Sequence, residues 1–161
     1  MAPATDTAQR RRRVTLALKE SLRELRNQLS LLNHQVGGRL KLKDVDLDCL
    51  ELIASAGPLT PSALARRAGL HPATVTGILD RLERGGWVAR ERDPEAADRR
   101  AVTVRAVRGR TGEVFRVYSG MNSAMDDLCA GYTEEELVLI AGFLRRTTEA
   151  GRAATAELTG E

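Results

Sequence analysis

Residues 59–107 read LTPSALARRAGLHPATVTGILDRLERGGWVARERDPEAADRRAVTVRAV, and this stretch decides the fold. Thr60-Pro61 places a hydroxyl cap before a proline at the first helical position, which satisfies an orphan amide and pre-sets the backbone. Leu64, Ala65 and Ala68 follow at helical spacing, and Gly69 offers a cheap left-handed stop. His71-Pro72 opens a second helix almost at once, with Val75, Ile78, Leu79 and Leu82 along one face and Gly85-Gly86 at its end. Two helices joined by so short a turn must cross steeply, as in a helix-turn-helix. Trp87-Val88-Ala89-Arg90 then predicts a short strand, residues 92–100 a polar loop, and Ala101-Val102-Thr103-Val104-Arg105 an alternating second strand. A hairpin with a charged tip directly behind the second helix makes a wing.

Outward from this module the chain reads as helix. Residues 1–9 are small and polar and are expected to be disordered. A long helix is expected over residues 12–39, where Leu18, Leu22, Leu25, Leu29, Leu32 and Val36 alternate spacings of four and three. Such a seam suits packing against another long helix. Residues 44–56 predict a further helix with Leu47, Leu50 and Ile53 inward, closed by Gly57-Pro58. After the wing, a helix is expected over 111–130, broken at Gly131-Tyr132. Thr133-Glu134-Glu135-Glu136 is a capping box that starts a last helix, reaching about residue 158. The expected class is therefore mainly α: a winged helix-turn-helix with a two-stranded wing, between long N- and C-terminal helices whose pattern suits a helical interface. Its divisions are 1–9 (arm), 10–43 (N-terminal helix), 44–108 (winged module) and 109–161 (C-terminal helices).

Composition narrows the function. The 161 residues suffice for one domain with its own core. No apolar run approaches the roughly 18 residues of a membrane span, and the Arg10–Arg13 cluster precedes no signal-type apolar segment. A cytoplasmic protein with no membrane partner is expected. Residues 60–112 hold 11 arginines against 6 acidic residues, whereas residues 113–161 hold 4 basic against 9 acidic. The basic excess thus lies on the winged module and N-terminal arm, where a polyanion would bind. An enzyme finds no support: there is no phosphate-cradling glycine loop, no nucleophile with an evident base, and His34 and His71 are isolated. No metal and no cofactor are expected. Cys49 and Cys129 are far apart and form no redox pair, and Cys49 reads as a small buried hydrophobe.

The run Leu64-Ala65, Pro72-Ala73-Thr74-Val75-Thr76, Leu79-Asp80-Arg81-Leu82-Glu83, Gly86-Trp87-Val88 and Arg90, with Asp93-Pro94 and Asp98-Arg99-Arg100 after it, resembles the MarR (multiple antibiotic resistance regulator) family. The wing triplet Asp98-Arg99-Arg100 is its most telling part. The likeness departs at Ala106-Val107 and Arg110, where the family leaves the wing through Leu-Thr and then glycine.

A homodimeric transcriptional regulator on double-stranded DNA is what this resemblance implies, with the terminal helices of 10–43 and 109–161 as dimerisation helices, recognition helices in successive major grooves and a pseudo-palindromic operator. The second helix of the motif offers a slim polar face, Pro72, Ala73, Thr74, Thr76, Gly77 and Arg81, that a major groove can admit. The threonines can meet bases or phosphates, Gly77 permits close approach, and Arg81 is expected to reach a guanine or a phosphate. Arg66 and Arg67 are expected on backbone phosphates. In the wing the resemblance implies that one of Arg99 and Arg100, with Arg99 preferred, enters the minor groove, while Asp98 supports the wing. It also implies repression relieved by a small aromatic or phenolic effector, in a pocket near Asn33, His34, Leu47, Met121 or Met125. The competing expectation is a winged helix that contacts proteins without sequence-specific DNA binding.

Overall fold

The computed structural model describes residues 3–92 and 102–159. Its elements run α1 (Pro3–Leu40), α2 (Asp44–Ala56), α3 (Pro61–Ala68), α4 (Pro72–Arg84), β1 (Val88–Arg92), β2 (Val102–Ala106), α5 (Arg108–Val117), α6 (Ser119–Ala130) and α7 (Glu134–Thr159). These form two compact units that divide between Val117 and Tyr118. Helix α5 belongs to the first unit, where Val114 packs on the core.

Three elements differ from the sequence reading. Helix α1 extends back to Pro3, through residues expected to be disordered. Proline is tolerated in a first turn, and Asp6 there suits the positive helix end. Its other end runs past Gly37-Gly38 and stops at Lys41, whose φ of 57° ends the helix while Leu42 N–H donates to the Gly37 carbonyl at 2.9 Å. The helix expected over 111–130 is two, α5 and α6, interrupted at Tyr118, just before Ser119 and Gly120, both weak helix formers. The strands are each displaced by one or two residues, with Trp87 before β1 rather than in it.

In the first unit α2, α3 and α4 pack around a core of Cys49, Leu50, Ile53, Leu64, Ala65, Val75, Ile78, Leu79 and Leu82, closed by Trp87, Val88 and Val104 from the hairpin side. The stripe read on α4 is its buried face, residue for residue. Side chains such as Ile78 and Leu82 have no exposed surface, and each such burial contributes about 1.5–3 kcal/mol. Strands β1 and β2 pair antiparallel with Val88 opposite Ala106 and Arg90 opposite Val104. Leu59 adds a rung by exchanging backbone hydrogen bonds with Val104 at 3.0 and 2.7 Å, which ties the start of α3 to the wing.

The caps read from sequence are formed. Thr60 Oγ1 accepts from Ala63 N–H at 3.2 Å, and Gly69 closes α3 in the left-handed region. In the second unit, Glu136 N–H donates to Thr133 Oγ1 at 3.3 Å while Thr133 N–H donates to Glu136 Oε2 at 2.9 Å. Along the seam on α1, Leu18, Leu25 and Leu29 are exposed; on the second unit so are Met125, Leu128, Ile140 and Leu144. Among the described residues no helix is long and apolar enough to cross a membrane.

Candidate nucleic-acid interface

The turn between α3 and α4 is short because both helices are capped within it. His71 Nδ1 accepts from Ala73 N–H at 3.2 Å, so the side chain serves as the N-cap of α4. With Val75, Ile78, Leu79 and Leu82 facing inward, Pro72, Ala73, Thr74 and Thr76 are exposed and Gly77 is half-buried. Thr76 Oγ1 donates to the Pro72 carbonyl at 3.1 Å, which commits its hydroxyl proton and leaves the oxygen an acceptor. Arg66 and Arg67 are exposed in the last turn of α3. These residues make up a surface with no large side chain along the first turns of α4.

Two ion-pair clamps brace that surface. Arg90 on β1 reaches back to α4, with Nη2 at 2.6 Å from Asp80 and Nη1 at 2.6 Å from Glu83. The hydrogen bond to Asp80 raises the Arg90 pKa above its ordinary value. Arg81 is held from the other side. Its Nε donates to Asp46 Oδ2 at 2.9 Å and its Nη2 to Asp46 Oδ1 at 2.6 Å, and this bonding raises its pKa. Arg81, expected to reach out to DNA, therefore has two of its nitrogens turned inward onto α2.

Sequence reading missed both Asp46 and Arg90. The signal for Asp46 was present: it shares a stripe with Leu50 and Ile53, four and seven residues on, so a carboxylate falls on the inward face of α2. A charge there requires a buried partner. For Arg90 no local pattern exists, because its partners lie across a helix-to-strand turn.

Asp98, Arg99 and Arg100 lie outside the described residues. The hairpin arms that lead to them carry a cross-strand ion pair between Arg105 and Glu91. Behind the hairpin, Arg110 lies 3.9 Å above the Trp87 ring and donates to the Gly85 carbonyl at 3.2 Å. The residues named for an effector pocket are placed otherwise. Asn33 donates to Asp48 at 2.7 Å and His34 pairs with Asp44 at 3.0 Å, so both fasten α1 to α2. Leu47 has no exposed surface, while Met121 and Met125 are on α6 in the second unit. The first unit does hold an open cleft of about 620 Å³ between α2 and α3, lined by apolar residues such as Val45, Leu52 and Leu70 together with Asp48, Glu51 and Arg67. Among the described residues no cluster of ligating side chains could hold a metal ion.

Known proteins share both the sequence pattern and the architecture. The sequence profile of the MarR family matches residues 42–102, from the start of α2 to the beginning of β2. The HTH-type transcriptional regulator YcgE of Bacillus subtilis (strain 168) is 36% identical over 121 residues, which span 74% of this chain and 77% of that protein. The structure of a MarR family protein from Bacillus stearothermophilus matches with a TM-score of 0.65 at 22% identity, covering 86% of this chain and 96% of the other. NadR, solved in complex with 4-hydroxyphenylacetate, matches with a TM-score of 0.62 at 22% identity over 81% of this chain and 91% of its own.

Proposed function

The chain belongs to the MarR family of HTH-type transcriptional regulators, and from that premise we propose that it is a homodimeric repressor whose α4 helices enter successive major grooves of a pseudo-palindromic operator. The observation that carries this reading is the exposed, slim face of α4, Pro72 to Thr76, on a module whose segment holds 11 arginines against 6 acidic residues. Thr74 and Thr76 meet base edges or phosphates there, Gly77 lets the groove floor approach, and Arg66 and Arg67 hold backbone phosphates. The wing carries Asp98, Arg99 and Arg100, with Arg99 directed to the minor groove. Dimerisation is supported by the leucine seam of α1, where Leu25 and Leu29 are each more than two-fifths exposed in the single chain.

Retardation of a labelled fragment from upstream of the gene tests the reading. It predicts competition by the unlabelled fragment and none by random DNA; indifference between the two would transfer the winged helix to protein contacts. Replacing Arg99 and Arg100 together with alanine is expected to weaken operator binding and leave the protein folded. For every phosphate that an arginine no longer neutralises, the slope of log K against log salt should fall by roughly 0.9. Unchanged affinity and slope would remove the wing from the interface.

We further propose that a small phenolic or aromatic acid releases the DNA. Such a ligand needs only to prefer a spacing of the two α4 helices that differs from the DNA-bound one. NadR was solved with 4-hydroxyphenylacetate, and the α2–α3 cleft, where Leu52, Ala68 and Leu70 stand with Arg67 and the carboxylates of Asp48 and Glu51, is of a size that suits a small ligand. Thermal melts over a panel of phenolic acids check this: a melting temperature raised by one member and unaffected in Arg67→Ala supports the cleft, and a flat panel rejects the effector.

A further inference from the structure

Residues 44–48 at the start of α2 read Asp-Val-Asp-Leu-Asp, and each of the three aspartates meets a different side chain. Asp44 and Asp48 are four residues apart and share a face of the helix. That face meets α1: His34 Nδ1 stands 3.0 Å from Asp44 Oδ2, and Asn33 Nδ2 donates to Asp48 Oδ1 at 2.7 Å. Asp46 is two residues from each, about 200° round the helix. It holds Arg81 of α4 by accepting from Nε at 2.9 Å and from Nη2 at 2.6 Å. One short stretch of α2 therefore grips α1 on one side and α4 on the other. The approach to α1 is close. A Cβ on Gly37 would stand 3.0 Å from the Leu42 carbonyl oxygen and 3.3 Å from Asp44 Oδ1, so a larger residue there would press on the connection between the two helices. Asn33 also lies one turn beyond Leu29 and two beyond Leu25, the exposed leucines of the α1 seam.

We propose that Asp44 and Asp48 are positioning residues, which together with Asp46 hold α4 at a fixed distance and angle from the α1 seam and so set the half-site spacing that the protein accepts. This rests on the reading of paired chains whose α4 helices enter successive major grooves. In such a pair each α4 is tied to the two-fold seam through α2, across two helix-to-helix gaps of about 8–10 Å. The exposed pairs at Asp44 and Asp48 add little to stability. Their value is directional: apolar burial holds helices together without fixing their register, whereas a hydrogen bond demands a distance and an angle. One base pair added between half-sites moves them about 3.4 Å apart and turns one by about 35°. A rigid stack of α1, α2 and α4 cannot follow that change, and a loosened one can.

Binding is measured on duplexes carrying the half-sites that the wild type selects from its upstream DNA, at the natural spacing and with one central base pair added or removed. The readout is the ratio of affinities for natural and altered spacing. Loss of negative charge strengthens binding to all three duplexes alike, so it cancels from the ratio. The wild type is expected to bind the altered duplexes at least about tenfold more weakly. For Asp44→Ala with Asp48→Ala the expected difference is about threefold or less, at a melting temperature close to that of the wild type. The exchange of Asn33→Asp with Asp48→Asn restores the α1–α2 hydrogen bond in the opposite direction and is expected to keep the wild-type ratio. An undiminished ratio in the double alanine variant would overturn the proposal, as would an exchange variant as tolerant as the alanines. Should the alanine pair fail to fold, Asp48→Ala alone is compared with the exchange variant, and equal ratios overturn it. A wild type that accepts all three spacings overturns it too. A wild type that selects no sequence defeats the groove reading instead, a failure seen before any variant is made.

Discussion

Cys49 lies on α2 with none of its surface exposed. Burial, and then the charges of Asp48 and Asp46, push its thiol from an ordinary 9.0 up to about 11. Disulfide exchange needs the thiolate, so at neutral pH this sulfur is chemically quiet. A colourimetric disulfide reagent at pH 7.5 is expected to titrate the half-buried Cys129 in the native protein and Cys49 only after denaturation; equal rates for the two would contradict this. The same group links stability to pH. Between about pH 9 and 11 the unfolded chain releases a proton that the native state retains, so stability falls as pH rises, by at most about 2–3 kcal/mol. Urea titrations at both ends of that range should show a shallower loss in Cys49→Ala than in the wild type. Individual residues were legible where chemistry is local. The capping roles of Thr60, His71 and Thr133 each depend on neighbours two or three residues away. Asp46 and Arg81 are 35 residues apart, and only a fold brings them together.

At the level of elements, α4 is the best-determined piece because three constraints agree. Its apolar stripe faces the core, His71 caps its start, and Asp46 and Arg90 hold it from two sides. Its far end meets the wing through Trp87. A Cβ at Gly85 would come within 2.6 Å of the Trp87 ring, so Gly85→Ala is expected to destabilise by about 1–3 kcal/mol through overpacking. Denaturant unfolding followed by the fluorescence of this single tryptophan would read the change, and an unaltered midpoint would show that the ring can give way. Elements were legible where periodicity was strong, as in α2 and α4. They were less so at their ends. The first turns of α1 carry no apolar pattern to announce a helix, and nothing in the hydrophobic spacing around Tyr118 marks the interruption between α5 and α6. The wing tip was read from the Asp98-Arg99-Arg100 triplet alone, and its contribution stands on the alanine test above.

For the whole molecule, the exposed seam is the principal fact. Leu18, Leu25 and Leu29 on α1 repeat at coiled-coil spacing with no cover in the single chain. A two-fold partner is the usual remedy for such a surface. Sedimentation is expected to give about twice the 17.6 kDa of one chain, and Leu25→Glu with Leu29→Glu is expected to yield a folded monomer that binds DNA far more weakly. Wild-type sedimentation as a single chain would count against the paired helices. Charge distribution at this scale was readable without any structure, since the basic winged segment and acidic C-terminal segment differ in composition alone. The contacts of Asn33 and His34, which fasten α1 to α2, were not, because their partners Asp48 and Asp44 lie on another helix. The most direct test of the account is a hydroxyl-radical and methylation-protection footprint of the wild-type protein on its upstream DNA. Two matching major-groove segments protected with their centres about 10 base pairs, or a multiple of one turn, apart are the predicted result. Protection of one isolated segment, or none that depends on sequence, would contradict it.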